Sequence, residues 1–426
     1  MKNSLVKITA LILVVFLFSC SNNQQNKEAN KAPSTSVEKK PFGHNNNQPY
    51  VVMVSLDGFR WDYTNYANTP VLDSLAKAGV LAEALIPSFP TKTFPNHYTM
   101  ATGLYPDHHG IVLNGFYAND LKMDYNKGDK STVGDGRFYS GEPIWTTAEL
   151  QGVKSATLFW VGSEAESKEV RPTLWKKYMH NMPFEDRIDS IYTWLSLPEN
   201  QRPHLVMWYY HEPDGMGHDA GPESKELVAE IEKLDGYLGD FFTKMRLLPF
   251  YNQINFIVTS DHGMGEISAD KQVILDKIID TANLEYYDGW NPIWNLKVVD
   301  GKLKEVYSKL KSNKHLQVWY SDSIPKRLHY GTNPRTSDIT VVAVPKWSIF
   351  WSWNVGSSLG AHGYDNSFKD MHTIFYAAGP AFKKDYIAPE FENVNIYPLI
   401  AEIMNLNPAK TDGNLGNVEN MLIEKK

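Results

Sequence analysis

Residues 50–57 read YVVMVSLD, an almost unbroken apolar run that ends on an acid. A short run of this kind, rich in β-branched side chains and without polar alternation, predicts a strand buried on both faces, as in a parallel sheet. Two later stretches repeat the design. LVMWYY (205–210) leads into HEPDGMGH, which carries Asp214 and His218, and INFIVT (254–259) leads into Ser260, Asp261 and His262. Further candidate strands lie at 156–160, 340–344 and 373–377, and the first and third of the quoted runs extend over 50–56 and 254–260. Helical spacing occupies 69–79, 95–102, 143–151, 184–195 and 222–245. In the last, Leu227, Ile231, Leu234, Leu238 and Phe241 form one apolar stripe, with Pro222 assigned to the first turn. The alternation predicts an α/β fold, a mostly parallel sheet with helices on both faces. Ligands of such sheets bind beyond the carboxyl ends of the strands. Asp57, Asp214, Asp261 and His262 all follow strand candidates at that end.

His362, in GAHGYDN, adds another imidazole to this set. Asp214-x-x-x-His218 can put both side chains on one face of a helical turn or around a tight loop. Asp261 and His262 are adjacent, so they share one ion only if the chain turns sharply, which Gly263 would permit. Each pair alone is weak; the set is what carries the reading. Carboxylates with imidazoles suit zinc. A phosphodiester repels a nucleophile, and two ions about 3.5–4 Å apart counter that charge. Thr93, in PTKTFPNHY, offers a hydroxyl near a predicted helix start, where backbone N–H groups favour a phosphate. It needs activation, because a free threonine is a poor nucleophile. Spacing alone leaves open that Thr93 only caps the helix, or that Thr91 is the reactive hydroxyl.

The chain has 426 residues, 42% of them hydrophobic, enough for a large core. Lys2 and Lys7 precede the apolar run ITALILVVFLF, the outline of a secretory signal over 1–19. Leu17-Phe18-Ser19-Cys20 resembles a bacterial lipobox, and Cys20 is the sole cysteine. The expectation is an exported lipoprotein anchored to the membrane through Cys20. Residues 20–48 would be a polar tether that cannot form a core, and 49–424 a catalytic domain. Within it, 285–338 reads as an inserted small subdomain, and the lysines of 302–314 as a solvated face. The net charge is −7; loss of residues 1–19 takes it to about −9. That argues against long nucleic acid as a partner, but not against a small anion bound through dications.

TFPNHYTMATGLYPDHHG (93–110) resembles the signature of the nucleotide pyrophosphatase/phosphodiesterase family, in the alkaline phosphatase superfamily. EPIWTTAELQGVKSATLFW, MPFEDRI, EPDGMGHDAGP, SDHGM, GAHGYDN and ENVNIYPL read like family segments in the same order, covering about residues 49–424. The resemblance implies an alkaline-phosphatase-like fold and two Zn²⁺ sites, one of Asp214, His218 and His362, the other of Asp57, Asp261 and His262. It implies Thr93 as the shared nucleophile, forming a phospho-threonine intermediate, and Asn114 as a donor to a phosphate oxygen. Phe94 and Tyr178 match residues that sandwich a nucleobase in nucleotide-cleaving members. The implied activity is cleavage of nucleotide phosphodiester or pyrophosphate bonds to nucleoside 5′-monophosphates. The alternatives are a glycerophosphodiester or lysophospholipid phosphodiesterase and a non-catalytic surface binding protein. His97, His108 and His109 have no metal role in the family. His211 is near enough to Asp214 in sequence to support it, while His44, His315 and His329 read as surface groups.

Overall fold

The computed structural model of the chain describes residues 48–424. The signal and lipobox readings, and His44, lie outside the described residues. The strands of the largest sheet are β1 (Tyr50–Leu56), β2 (Val80–Ala82), β3 (Ser155–Leu158), β4 (Leu174–Lys176), β5 (Leu205–Tyr210) and β6 (Ile254–Thr259). After β6 comes a separate sheet of β7 (Leu284–Trp290), β8 (Ile293–Val298), β9 (Leu316–Tyr320) and β10 (Ile339–Ala343). The chain then returns to the main sheet with β11 (Phe375–Ala378) and β12 (Tyr386–Ala388). The order across the main sheet is β12-β2-β11-β6-β1-β5-β3-β4. Only β11 runs antiparallel to its neighbours; the other pairings are parallel.

Every residue of β1 is buried. Its period-two alternation feeds two separate cores. Val51 and Met53 join one, and Val52, Val54 and Leu56 join the other. The second core is closed by three helices, α1 (Pro70–Ala78), α4 (Phe184–Leu195) and α6 (Lys225–Met245), and the first by α2 (Thr93–Thr102) and α3 (Ile144–Leu150). The short α5 (Asp214–Ala220) lies between β5 and α6 in the chain. The stripe Leu227, Ile231, Leu234, Leu238 and Phe241 is buried throughout. Pro222, however, lies outside the first turn. Ser224 is the cap, its hydroxyl accepting from Leu227 N at 3.1 Å, and so the helix begins three residues later than the sequence reading had it.

A second correction concerns 340–344. The strand is there as β10, fully buried, but it pairs with β8 and β9 in the antiparallel sheet, ordered β7-β8-β10-β9, rather than in the main one. The extra sheet therefore runs to Ala343, past residue 338. It is fastened to the core by polar contacts: Asp107 accepts from Gly331 N and Thr332 N, and Arg327 holds Asp365 with two bonds of 2.8 and 2.5 Å. The lysines of 302–314 are exposed, as expected of a solvated face. No helix among the described residues is long and apolar enough to cross a membrane.

Candidate metal centre and active site

β1 is the middle strand between β5 and β6, in register Leu56 with Tyr210 and Ser55 with Thr259. Adjacent strands lie about 4.8 Å apart, so residues just past their carboxyl ends meet. Asp57, Asp261 and His262 meet there, with one ligand atom from each within 4.8 Å of the others. His262 Nε2 is 3.2 Å from Asp57 Oδ1 and 3.2 Å from Asp261 Oδ2. A second group of the same tightness contains Asp214, His218 and His362. Asp214 opens α5 and His218 lies one turn on, 3.4 Å away. The helical option for that spacing is the one adopted. His362 Nε2 is 3.7 Å from Asp214 Oδ1, and its ring stacks on that of His262 at 3.5 Å, joining the two groups.

Two glycines allow this convergence. Gly58 has φ +72°, and a Cβ there would meet Asp214 Cα at 2.9 Å. Gly263 matters differently from the sharp turn expected of it. Its φ is not positive, and a Cβ would strike Asp370 O at 2.1 Å, so it serves close backbone approach.

The donor set fits dications. All three imidazoles point Nδ1 at a backbone carbonyl: His218 at Gly360 O (2.8 Å), His262 at Gly263 O (2.9 Å) and His362 at Thr91 O (2.9 Å). With Nδ1–H donating, each Nε2 keeps its lone pair for the cluster. Asp57 Oδ1, Asp214 Oδ1 and Asp261 Oδ2 are buried without a hydrogen-bond partner among the described residues. Burial, then the charges of Asp261 and Asp214, pushes Asp57 well above the usual carboxylate range, and burial with Asp214 pushes Asp261 up to about 8. Burial also lowers His262 to about 3 and holds His362 low. Neutral imidazoles beside acids that resist ionising form an arrangement that bound cations would stabilise.

Thr93 is the first residue of α2; the cap position belongs to Lys92. Thr93 Oγ1 lies 3.2 Å from His262 Nε2. The Thr91 hydroxyl is engaged elsewhere: it donates to Tyr364 O and accepts from Gly363 N, bracing the His362 loop. Asn114 Oδ1 accepts from Phe94 N at 2.9 Å, and its amide nitrogen has no hydrogen-bond partner among the described residues.

The profile described as type I phosphodiesterase / nucleotide pyrophosphatase matches residues 51–365. The chain belongs to this family. Human ectonucleotide pyrophosphatase/phosphodiesterase family member 1 is 35% identical over 389 residues, covering 88% of the chain and 42% of that protein. A venom phosphodiesterase of Crotalus durissus collilineatus is 34% identical over 404 residues, 92% of the chain and 48% of its own length. The chain thus spans about half the length of these curated relatives. Among solved structures, an inactive variant of murine ectonucleotide pyrophosphatase/phosphodiesterase 5 in complex with AMP superposes with a TM-score of 0.84 at 33% identity. It covers 88% of the chain and all of that structure.

The remaining residues of this phosphodiesterase-family chain sort by geometry. Phe94 is half-buried, edge-on to Tyr125. Tyr178 packs beside Phe159 and Tyr209, its hydroxyl 3.0 Å from His180 Nδ1. His97 is buried between Thr93 O and Ser55 Oγ, at 2.9 Å from each, and 3.3 Å from Asp261. His109 bonds Thr99, and His108 pairs with Asp412. His211 packs against His180, the two rings tilted by 37° at 4.1 Å, and contacts Arg187, and no bond to Asp214 is found among the described residues. His329 is exposed, but His315 is only half-buried and stacks on Trp347 at 3.4 Å, a departure from the surface reading. Two residues escaped the sequence reading. Tyr209 donates to Asp57 Oδ2 at 2.6 Å; its position at a strand end, next to the metal-side acids, was the available signal. Lys92, adjacent to Thr93, is buried, which lowers its ammonium to about 7, and it donates to Asn291 O at 2.7 Å.

Proposed function

We propose that this chain is a zinc-dependent phosphodiesterase acting on nucleotides, with Thr93 as nucleophile, releasing nucleoside 5′-monophosphates. The observation that carries the reading is the position of Thr93 Oγ1, 3.2 Å from His262 Nε2, where two groups of three metal-type ligands adjoin. Asp57, Asp261 and His262 would hold one Zn²⁺, and Asp214, His218 and His362 the other. Bound there, the ions would lower the pKa of the attacking oxygen and offset charge on the phosphate and leaving oxygens.

The chain's own groups supply the rest. The first turn of α2 directs backbone N–H groups toward a bound phosphate. Asn114, its oxygen held by Phe94 N, turns its amide N–H toward the charge developing on a phosphate oxygen. His262, unprotonated through burial and fixed by Gly263 O, faces the threonine hydroxyl. Phe94 and Tyr178 would bracket the base, a sequence-tolerant contact. The AMP in the murine relative's structure supports a nucleotide rather than a lipid substrate. A lipid on Cys20 would carry the exported enzyme on a membrane.

The test compares hydrolysis of the p-nitrophenyl ester of thymidine 5′-monophosphate with that of p-nitrophenyl phosphocholine. Clear preference for the thymidine ester is expected; preference for the choline ester would move the chain to the lipid-cleaving branch. Tyr209→Phe is expected to weaken zinc binding by about 10- to 100-fold, since the bond orienting Asp57 is lost. Competition with a chromophoric chelator would measure it, and unchanged affinity would make Tyr209 a packing residue only.

A further inference from the structure

Tyr178 stands in a segment, 177–183, that joins β4 to α4 without entering either. Lys177, Met179, His180, Asn181 and Pro183 are exposed there, so burial does little to hold it. Two polar anchors do. At one end Glu164 accepts from Tyr178 N at 2.8 Å. At the other, Arg187 reaches back from near the start of α4. Its Nε donates to Met182 O at 3.0 Å and its Nη2 to His180 O at 3.1 Å. Its Nη1 donates to Tyr209 O at 2.8 Å, and Tyr209 is the residue whose hydroxyl holds Asp57. One side chain thus fastens the Tyr178 segment to the strand end beside the metal-type ligands.

Arg187 is fully buried, and its hydrogen-bond partners among the described residues are those three carbonyls and His211, with no acid among them. A buried guanidinium without a carboxylate is costly, and packing alone is served as well by an apolar side chain of similar volume. What the position uses is the rigid fork of N–H donors. The guanidinium also lies over two rings, Phe159 at 5.0 Å and Tyr210 at 4.7 Å. Phe159 comes directly after β3 with φ +67°, uncommon for a bulky side chain. Tyr178 packs edge-on against that same ring at 5.4 Å. We propose that Arg187 is a positioning residue for the nucleobase. Through the carbonyls of His180 and Met182, and through the Phe159 ring, it sets Tyr178 at a fixed offset from the phosphorus at the metal centre. The assignment rests on the reading of Tyr178 as a base contact given above. That contact is remote from the reacting bonds, so its loss raises KM more than it lowers kcat.

The test uses two esters with one leaving group, the thymidine nitrophenyl ester and methyl p-nitrophenyl phosphate, which has no base. The readout is the ratio of their kcat/KM values, with zinc supplied and melting temperatures recorded. Tyr178→Ala and Arg187→Lys should each lower the ratio about fivefold or more, chiefly through KM for the thymidine ester. Lysine keeps the charge but loses the fork that spans three carbonyls. The double variant should fall no further than Tyr178→Ala alone, because Arg187 acts through that ring. Phe159→Leu should lower the ratio about threefold, and it decides alone if Arg187→Lys fails to fold. An unchanged ratio in the deciding variant, an equal fall on both esters, or a double variant that loses the product of the two single effects would overturn the assignment. With Tyr178→Ala still lowering the ratio, that outcome leaves the base contact standing. If Tyr178→Ala keeps the wild-type ratio, the base contact fails and the assignment with it. If the wild-type protein cleaves neither ester, the phosphodiesterase reading fails.

Discussion

Thr93→Ala is expected to keep its fold and its metal and to lose nucleotide phosphodiester hydrolysis by about 10⁴-fold or more. The side chain contributes nothing to the start of α2, because it makes no cap bond and the cap position belongs to Lys92. Its removal deletes one hydroxyl, the one lying 3.2 Å from His262 Nε2. Thr91 cannot substitute, since its hydroxyl is engaged by Tyr364 and Gly363. Thr93→Ser is the companion variant. It keeps the oxygen and loses the methyl group that restricts the rotamer, and should retain activity within about tenfold to a hundredfold. Steady-state kinetics on the thymidine ester, with zinc supplied and melting temperatures recorded, checks both. A Thr93→Ala protein working near the wild-type rate would remove the nucleophile from this position.

Chelation is expected to abolish the activity and also to lower the melting temperature, by about 5–10 °C. The second effect follows from packing. Asp57 is 2% exposed and Asp261 0%, with Asp214 close enough to raise the proton affinity of both. Without cations the fold confines like charges away from water, or protonates them; an ion that binds only the folded state relieves this. Zinc should restore stability and activity together, while magnesium, which prefers oxygen donors and keeps its waters, should restore neither. Scanning calorimetry before and after chelation, then with each metal, gives the answer. An unchanged melting temperature after confirmed metal removal would mean the six ligands are satisfied without ions.

Much of this site is legible in the chain because parallel sheets impose a simple rule. Three apolar runs, each followed by Asp or His, become three adjacent strands whose ends converge. What the chain conceals has physical causes. β2 and β12 are three residues long, too short to show a period. The run at 340–344 has the composition of a buried strand wherever it pairs, and nothing local distinguishes the extra sheet from the main one. Pro222 suits a first helical turn, yet Ser224, two residues on, supplies the hydroxyl that ends the competition. Thr91 and Thr93 differ by two positions in sequence, and only the neighbours of each hydroxyl tell them apart. The hold of Arg187 on the Tyr178 segment was invisible for a different reason. Its partners are backbone carbonyls, which no residue pattern encodes.

The three imidazoles are aimed by carbonyls of Gly360, Gly263 and Thr91 rather than by carboxylates. Their alignment is a property of the chain path, which at Gly263 and Gly360 leaves no room for a side chain. Grafting the six ligand side chains onto another scaffold would therefore reproduce the inventory of this centre without its aim. A designer would need to transplant three loop trajectories as well.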